Sequence, residues 1–298
     1  MAQDYADQPV VFIEYDVDDA PSDRVSRWWA AFTGGSVTLP MVMADSGNQI
    51  SYGPVNYRNV YKGMVDTALA RPAQAEILAN WWRTGNKAGF YIQVKNLSGV
   101  TLSSSNFARV FAIVYEDAHV NVTNRFGRSV VAASITNLAN NASATFKLET
   151  PELSGVNWAN LHYIVLVDYL PSGSTGAYDM LQAVIATPIS APFSAQPDTM
   201  TFVVDSADTT NPFSTVIFQG SSFANWTAAP GPAWLNLTPP NGPITAPMTL
   251  STVKSNLATG WQQGIISFST ADGLFTDQMT VNAYYGAVEK IYLPTVLR

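Results

Sequence analysis

The chain has 298 residues, 47% of them hydrophobic and only 12% charged, with a formal net charge of −7 and no cysteine. The length suggests two or three cores of ordinary size, the apolar share excludes a disordered chain, and an acidic balance without any Lys/Arg cluster excludes a nucleic-acid backbone as partner. The missing cysteines exclude disulfides, thiolate metal sites and a Cys nucleophile together, and leave the compartment open. No apolar run reaches the roughly 18 to 20 residues of a membrane span. The start "MAQDYADQP" has neither the basic nor the apolar region of a signal peptide, so for an exported protein the signal would be absent from this sequence.

The first region is read as residues 1–72. "VVFIEYDVD" (Val10 to Asp18) is a continuous apolar run that predicts a strand covered on both faces in a parallel sheet. In "SDRVSRWWAAFTGG", Ser22 or Asp23 can cap a helix whose apolar face is Val25, Trp28, Trp29 and Phe32 and whose end is Gly34. "LPMVMAD" and "NQISYG" predict a hairpin around Ser46, Gly47 and Asn48. "NYRNVYKGMVDTALARP" predicts a closing helix, with Tyr57, Val60, Tyr61, Met64, Val65 and Leu69 at helical spacing and Pro72 after its end.

Strand, helix, hairpin, helix, with Leu39-Pro40 just before the first hairpin strand, resembles the second half of the thioredoxin fold. The resemblance implies that Pro40 is cis and shapes a surface that meets an extended substrate. A trans strand-entry proline is the alternative. The family's first strand and its Cys-X-X-Cys turn have no counterpart here, and without a thiolate the chain cannot perform thiol–disulfide exchange. Losing that strand would open the family's sheet in its middle, where unpaired backbone groups are costly. Two explanations stand: the chain is a fragment of a longer protein, or a strand from elsewhere inserts.

The second region, residues 73–188, reads as all-β. "AEILANWWRTG" and "AGFYIQVKNLSG" predict a hairpin around Gly85, Asn86 and Lys87; "FARVFAIVYEDAHV", "SATFKLETPE", "LHYIVLVDYL" and "YDMLQAVIAT" predict further strands. The stretches "VYED", "NWANLHYIVLVDY" and "MLQAV" resemble an immunoglobulin-like sandwich domain of exported bacterial proteins.

A Pro/Ser/Ala-rich linker, "TPISAPFSAQPDT", leads into the third region, residues 189–288, with strands in "TMTFVVDS", "STVIFQGSS" and "DQMTVNAYY". "AWLNLTPPNG" followed by "GWQQGIISFSTADG" resembles the BACON-like sandwich domains of bacterial surface proteins. That resemblance implies either glycan binding or a spacer role. Trp226 and Trp261 are the candidates for stacking on sugar rings, while Trp234 reads as core. The expected fold class is therefore multidomain and mainly β: a truncated thioredoxin-like α/β domain followed by two immunoglobulin-like β-sandwiches.

The tail, residues 289–298, is a short apolar segment in which Ile291, Tyr292, Leu293, Val296 and Leu297 can form a donor strand. It would complete the open sheet of another copy and join copies head to tail. Pro294 opposes this, since it donates no ladder hydrogen bond.

Chemistry-bearing motifs are sparse. His119 and His162 each fall in an apparent strand with no Gly-X-Ser-X-Gly elbow. Glu116 and Asp117 are consecutive on a strand and should face opposite sides, which spoils an acid/base pair. Asp16, Asp18, Asp19 and Asp23 lack the glycine and distal glutamate of an EF-hand. No catalytic residue, metal or cofactor is expected. Asn-X-Ser/Thr triplets at Asn96, Asn121, Asn141, Asn225 and Asn236 lean towards a surface location. The leading expectation is a non-catalytic extracellular or cell-surface protein for structure, assembly or adhesion, with copies of itself or cell-surface glycans as partners. The alternatives are a fragment of an exported thiol–disulfide oxidoreductase and a carbohydrate-binding module.

Overall fold

The structure is a computed structural model and describes residues 2–15, 24, 27, 31, 32, 39–53, 56–119 and 124–288. Its described residues are mainly β, in several sheets. The chain divides into two compact units, Met1–Pro188 and Ile189–Arg298.

In the first unit the strands are β1 (Met41–Ala44), β2 (Gln49–Tyr52), β3 (Ala75–Thr84), β4 (Lys87–Asn96), β5 (Leu102–Ser103), β6 (Arg109–Glu116), β7 (Phe126–Ser134), β8 (Asn137–Leu138), β9 (Ser143–Glu149), β10 (Leu161–Tyr169), β11 (Asp179–Ile185) and β12 (Thr187–Pro188). Two four-stranded sheets, β11-β10-β6-β7 and β12-β3-β4-β9, carry the fold. Alternate residues turn inward between them: Phe90 and Ile92 from β4, Val110 and Ala112 from β6, Val165 and Val167 from β10. Thr84 pairs with Lys87, so β3 and β4 close through Gly85-Asn86, and Gly85 takes the positive φ (+59°) that glycine adopts without strain.

The N-terminal residues depart from expectation in one respect. Residues 10–15 make a single parallel bridge, Glu14 to Phe126 of β7, rather than a full strand. Their apolar character is spent differently: Ile13 packs on Phe111, Ile113 and Leu166, which face away from the sandwich core. The hairpin forms as expected, Met41 opposite Tyr52, as a two-stranded sheet, and Leu39-Pro40 is cis. The helix Tyr57–Leu69 also forms, but of its apolar residues only Met64 is buried, while Tyr57 and Val60 are exposed. Val25, Trp28, Trp29, Gly34, the acids Asp16, Asp18, Asp19 and Asp23, and Asn121 lie outside the described residues, as does the tail with Ile291, Tyr292, Leu293, Val296 and Leu297.

The adjacent tryptophans of β3 both pack. Trp82 is buried across Gly89, where even a methyl group would stand 2.4 Å from the indole, and half-buried Trp81 stacks on Tyr163 with ring centroids 3.6 Å apart. The Tyr163 hydroxyl is buried under these rings with no hydrogen-bond partner, and desolvation pushes its pKa up to about 12. An unsatisfied buried hydroxyl is a cost. Tyr163→Phe is therefore expected to leave stability unchanged or raise it by about 1 kcal/mol, read from the urea midpoint; a clear loss of stability would contradict this.

The second unit contains β13 (Phe193–Gln196), β14 (Thr199–Asp205), β15 (Phe213–Gly220), β16 (Asn225–Ala228), β17 (Leu235–Thr238), β18 (Asn241–Pro243), β19 (Met248–Thr252), β20 (Gly260–Thr270) and β21 (Thr276–Gly286). They form the sheets β13-β15-β19-β17 and β14-β21-β20-β16-β18. Met200, Phe202 and Val204 of β14 alternate inward, and the core holds Trp226, Phe268, Met248, Leu250, Ile266 and Met279. The stretch expected as a linker contains β12 and β13. Phe193 and Ala195 sit at period two and are buried, which outweighs the proline-rich composition around them.

Candidate functional site

The two tryptophans expected as stacking residues separate completely. Trp226 is fully buried: its ring lies against Phe218 at 4.2 Å, and its Nε1 donates to the carbonyls of Pro243 (3.0 Å) and Ala246 (3.2 Å). It is a core residue and cannot meet a sugar. An indole N–H needs a buried acceptor, and the β18 turn supplies two. Trp234 is buried as well, as expected of it.

Trp261 is 67% exposed, near the start of β20. The register of β20, β21 and β14 places Trp261, Tyr284 and Val203 side by side across three strands, with the Trp261 and Tyr284 ring centroids 5.4 Å apart. A Cβ on Gly286 would come within 2.9 Å of the Tyr284 hydroxyl, so glycine there gives the ring room to lie along its own strand. The next outward row is Gln263, Asn282 and Thr201, in which Gln263 Nε2 donates to Asn282 Oδ1 at 3.1 Å. The third is Ile265, Thr280 and Thr199. These three rows carry aromatic, aliphatic, amide and hydroxyl groups and no charge. Tyr284, Val203, Gln263 and Asn282 were not legible as site residues in the sequence. The alternation in "GWQQGIISF" and "TVNAYYG" places them on an outer face, but only strand register brings them together.

The first unit holds a buried ionic cluster that the sequence did not reveal. Asp168 of β10 is fully buried. Arg24 Nη1 donates to its Oδ2 at 2.9 Å, and Arg27 Nη1 stands 2.9 Å from its Oδ1 at ion-pair distance, off hydrogen-bond alignment. Arg24 also donates to Ser46 Oγ (3.2 Å) and Arg27 to the Phe107 carbonyl (2.9 Å). Both guanidiniums lie over the Phe111 ring, and Arg27 also lies over Tyr178. Burial pulls the Arg27 guanidinium below its usual range, against the pull of Asp168.

The remaining titratable groups are engaged structurally. Glu116 is buried and accepts from Arg128 Nε (2.6 Å) and the Asn157 amide (2.7 Å), while Asp117 faces out and meets His162 Nε2 at 2.8 Å, so the two acids point to opposite sides as expected. β6 ends at Glu116, so His119 lies beyond the strand expected to hold it, with its Nδ1 2.9 Å from Asn124 Oδ1. Among the described residues no group of three or more His, Cys, Asp or Glu is placed to hold a metal. Asn96, expected as a glycosylation acceptor, is instead fully buried and donates to the Val100 and Leu138 carbonyls. Leu39 is exposed beside the cis Pro40.

Fold and surface together define a mainly β protein of two compact units with an uncharged aromatic row on the outer face of the second. The chain matches no family model and no curated protein sequence. Among solved structures it is similar to a domain of the outer membrane lipoprotein Omp28 from Porphyromonas gingivalis, at 19% identity over 40% of this chain and 92% of that chain, with a TM-score of 0.25. It is also similar to red sea bream transglutaminase, at 14% identity over 82% of this chain and 37% of that one, with a TM-score of 0.25. A third is the sialic acid binding region of a Streptococcus sanguinis SK1 adhesin, at 9% identity over 71% of this chain and 77% of that chain, with a TM-score of 0.24. Each likeness is too distant to assign a fold family or a ligand to this chain.

Proposed function

We propose that this chain is a non-catalytic extracellular or cell-surface protein of the structural or adhesion kind, with its ligand contact on the Trp261 face. The observation that carries this reading is the register that sets an exposed Trp261 beside Tyr284 and Val203, above a row of amides. An indole face suits the apolar face of a sugar ring, and amides at its edge suit hydroxyls. A neutral glycan is the ligand class this chemistry fits. Low charge and serial β units support the surface location. The engagement of Glu116, Asp117, His119 and His162 in structural pairs supports a non-catalytic role. The finer reading, a thioredoxin-like remnant and a BACON-like second unit, belongs to the same proposal.

Trp261→Ala tests it. Stability is expected to stay within about 0.5 kcal/mol, because the side chain is exposed, while binding to neutral oligosaccharides, measured by calorimetry, falls at least tenfold. Unchanged binding by the variant, or no binding of any neutral oligosaccharide by the natural chain, would overturn the glycan reading.

A further inference from the structure

The outer face that begins at Trp261 runs the full length of the β20–β21 ladder. The two strands pair antiparallel from Gly260 to Ser269, so the residues that follow Trp261 and Tyr284 at period two continue the same face. Beyond the amide row and the Ile265/Thr280 row, Ser267 stands opposite Gln278, whose Nε2 donates to Ser267 Oγ at 3.3 Å, and Ser269 stands opposite Thr276. β16 extends these last rows sideways: Thr227 pairs with Ser269, and the Ala229 amide donates to the Ser267 carbonyl.

At this far end the face is hollowed. Thr227, Ala229, Ser267, Ser269, Thr276 and Gln278 line a groove of about 630 Å³. Serines on the middle strand are shorter than Thr227 on one side and Thr276 and Gln278 on the other, which leaves a trough along β20. Asp277 also borders the groove, but its carboxylate is engaged: Oδ2 accepts from the Ala195 amide at 2.7 Å and Oδ1 from the Gln278 amide at 2.8 Å. The side chains offered to a ligand are hydroxyls, a carboxamide and a methyl group.

Trp261 and Ser269 are eight residues apart on one extended strand, about 27 Å. A single sugar ring or a disaccharide cannot touch both ends. An unbranched chain of rings laid along β20 meets the aromatic end, the exposed Ile265 and the hydroxyl groove together, and each contact raises the effective concentration for the next. A peptide is served less well, because β20 and β21 are interior strands, paired on both sides, and offer no backbone groups for strand addition.

We propose that the ligand of this face is an extended, uncharged, unbranched polysaccharide running along β20, with the Thr227/Ser269/Thr276 groove as a second subsite for its far end. This rests on the glycan reading of Trp261 and adds the ligand's length and direction.

Chain-length dependence tests it. Calorimetry of the natural full-length chain against neutral cello-, xylo-, manno- and laminari-oligosaccharides of two and six rings is expected to show six rings binding about tenfold or more tighter than two in the preferred series. Ser267→Val/Ser269→Val fills the trough with methyl groups and removes both hydroxyls, on a strand that suits β-branched residues. In this variant the preference for six rings should fall below about threefold. A six-ring preference that is missing from the natural chain, or that persists undiminished in the folded variant, would overturn the second subsite; if Trp261→Ala still weakens binding, the glycan reading stands. Binding that ignores Trp261→Ala, or no binding by the natural chain, would overturn both. If the valine pair fails to fold by circular dichroism, Thr227→Val/Thr276→Val decides by the same ratio.

Discussion

Trp226→Ala is expected to destabilise the Ile189–Arg298 unit by about 3–5 kcal/mol, as large aromatic truncations in cores do. The indole is fully buried between Phe218 and the β18 turn, with Gly242 close against it, and the core around it is held by strand ladders that cannot collapse into the space. The change also orphans the Pro243 and Ala246 carbonyls that accept from Nε1. Trp226→Phe keeps an aromatic ring and loses the donor, for an expected cost of about 1–3 kcal/mol. Urea unfolding followed by fluorescence orders the three proteins. A Trp226→Ala cost below about 1 kcal/mol would return Trp226 to the surface. Trp261→Ala, on an exposed face of the same unit, is the internal control.

Asp168→Asn is expected to weaken the seating of the N-terminal segment by about 3–5 kcal/mol, because it leaves two buried guanidiniums facing a neutral amide. The Gly127 amide reports that seating directly, since it donates to the Glu14 carbonyl at 3.0 Å. Its native-state hydrogen exchange should accelerate by roughly 10²- to 10⁴-fold. Exchange that stays as slow as in the natural chain would show that Asp168 does not hold the segment. Removing all three charges together has the opposite sign. Arg24→Met/Arg27→Met/Asp168→Leu is expected to be neutral or more stable by about 1–4 kcal/mol, because ions taken out of water repay their desolvation poorly against apolar side chains of similar volume.

Element type was legible where pattern is local. The alternation in "TMTFVVDS" fixed β14 as a half-buried strand, and Gly85-Asn86 between two apolar runs fixed the β3–β4 hairpin. The same reasoning missed β13, whose buried Phe193 and Ala195 are hidden among prolines, and mistook the apolar run at Val10 for a strand in a parallel sheet. An apolar run demands cover but does not say which surface provides it.

The sequence by itself determined that this protein is β-rich, lightly charged, without thiol chemistry and equipped with aromatic residues in its last third. Period-two alternation and the absence of cysteine are properties of neighbouring residues or of simple counts. Only the tertiary structure decided that Trp226 is core while Trp261 faces out, that Trp261, Tyr284 and Val203 share one row, and that Asp168 is gripped by arginines more than a hundred residues away. Those outcomes depend on strand register and on which sheet face receives which segment. Register shifts by one residue turn every side chain over, and no local stretch of the chain encodes its partner.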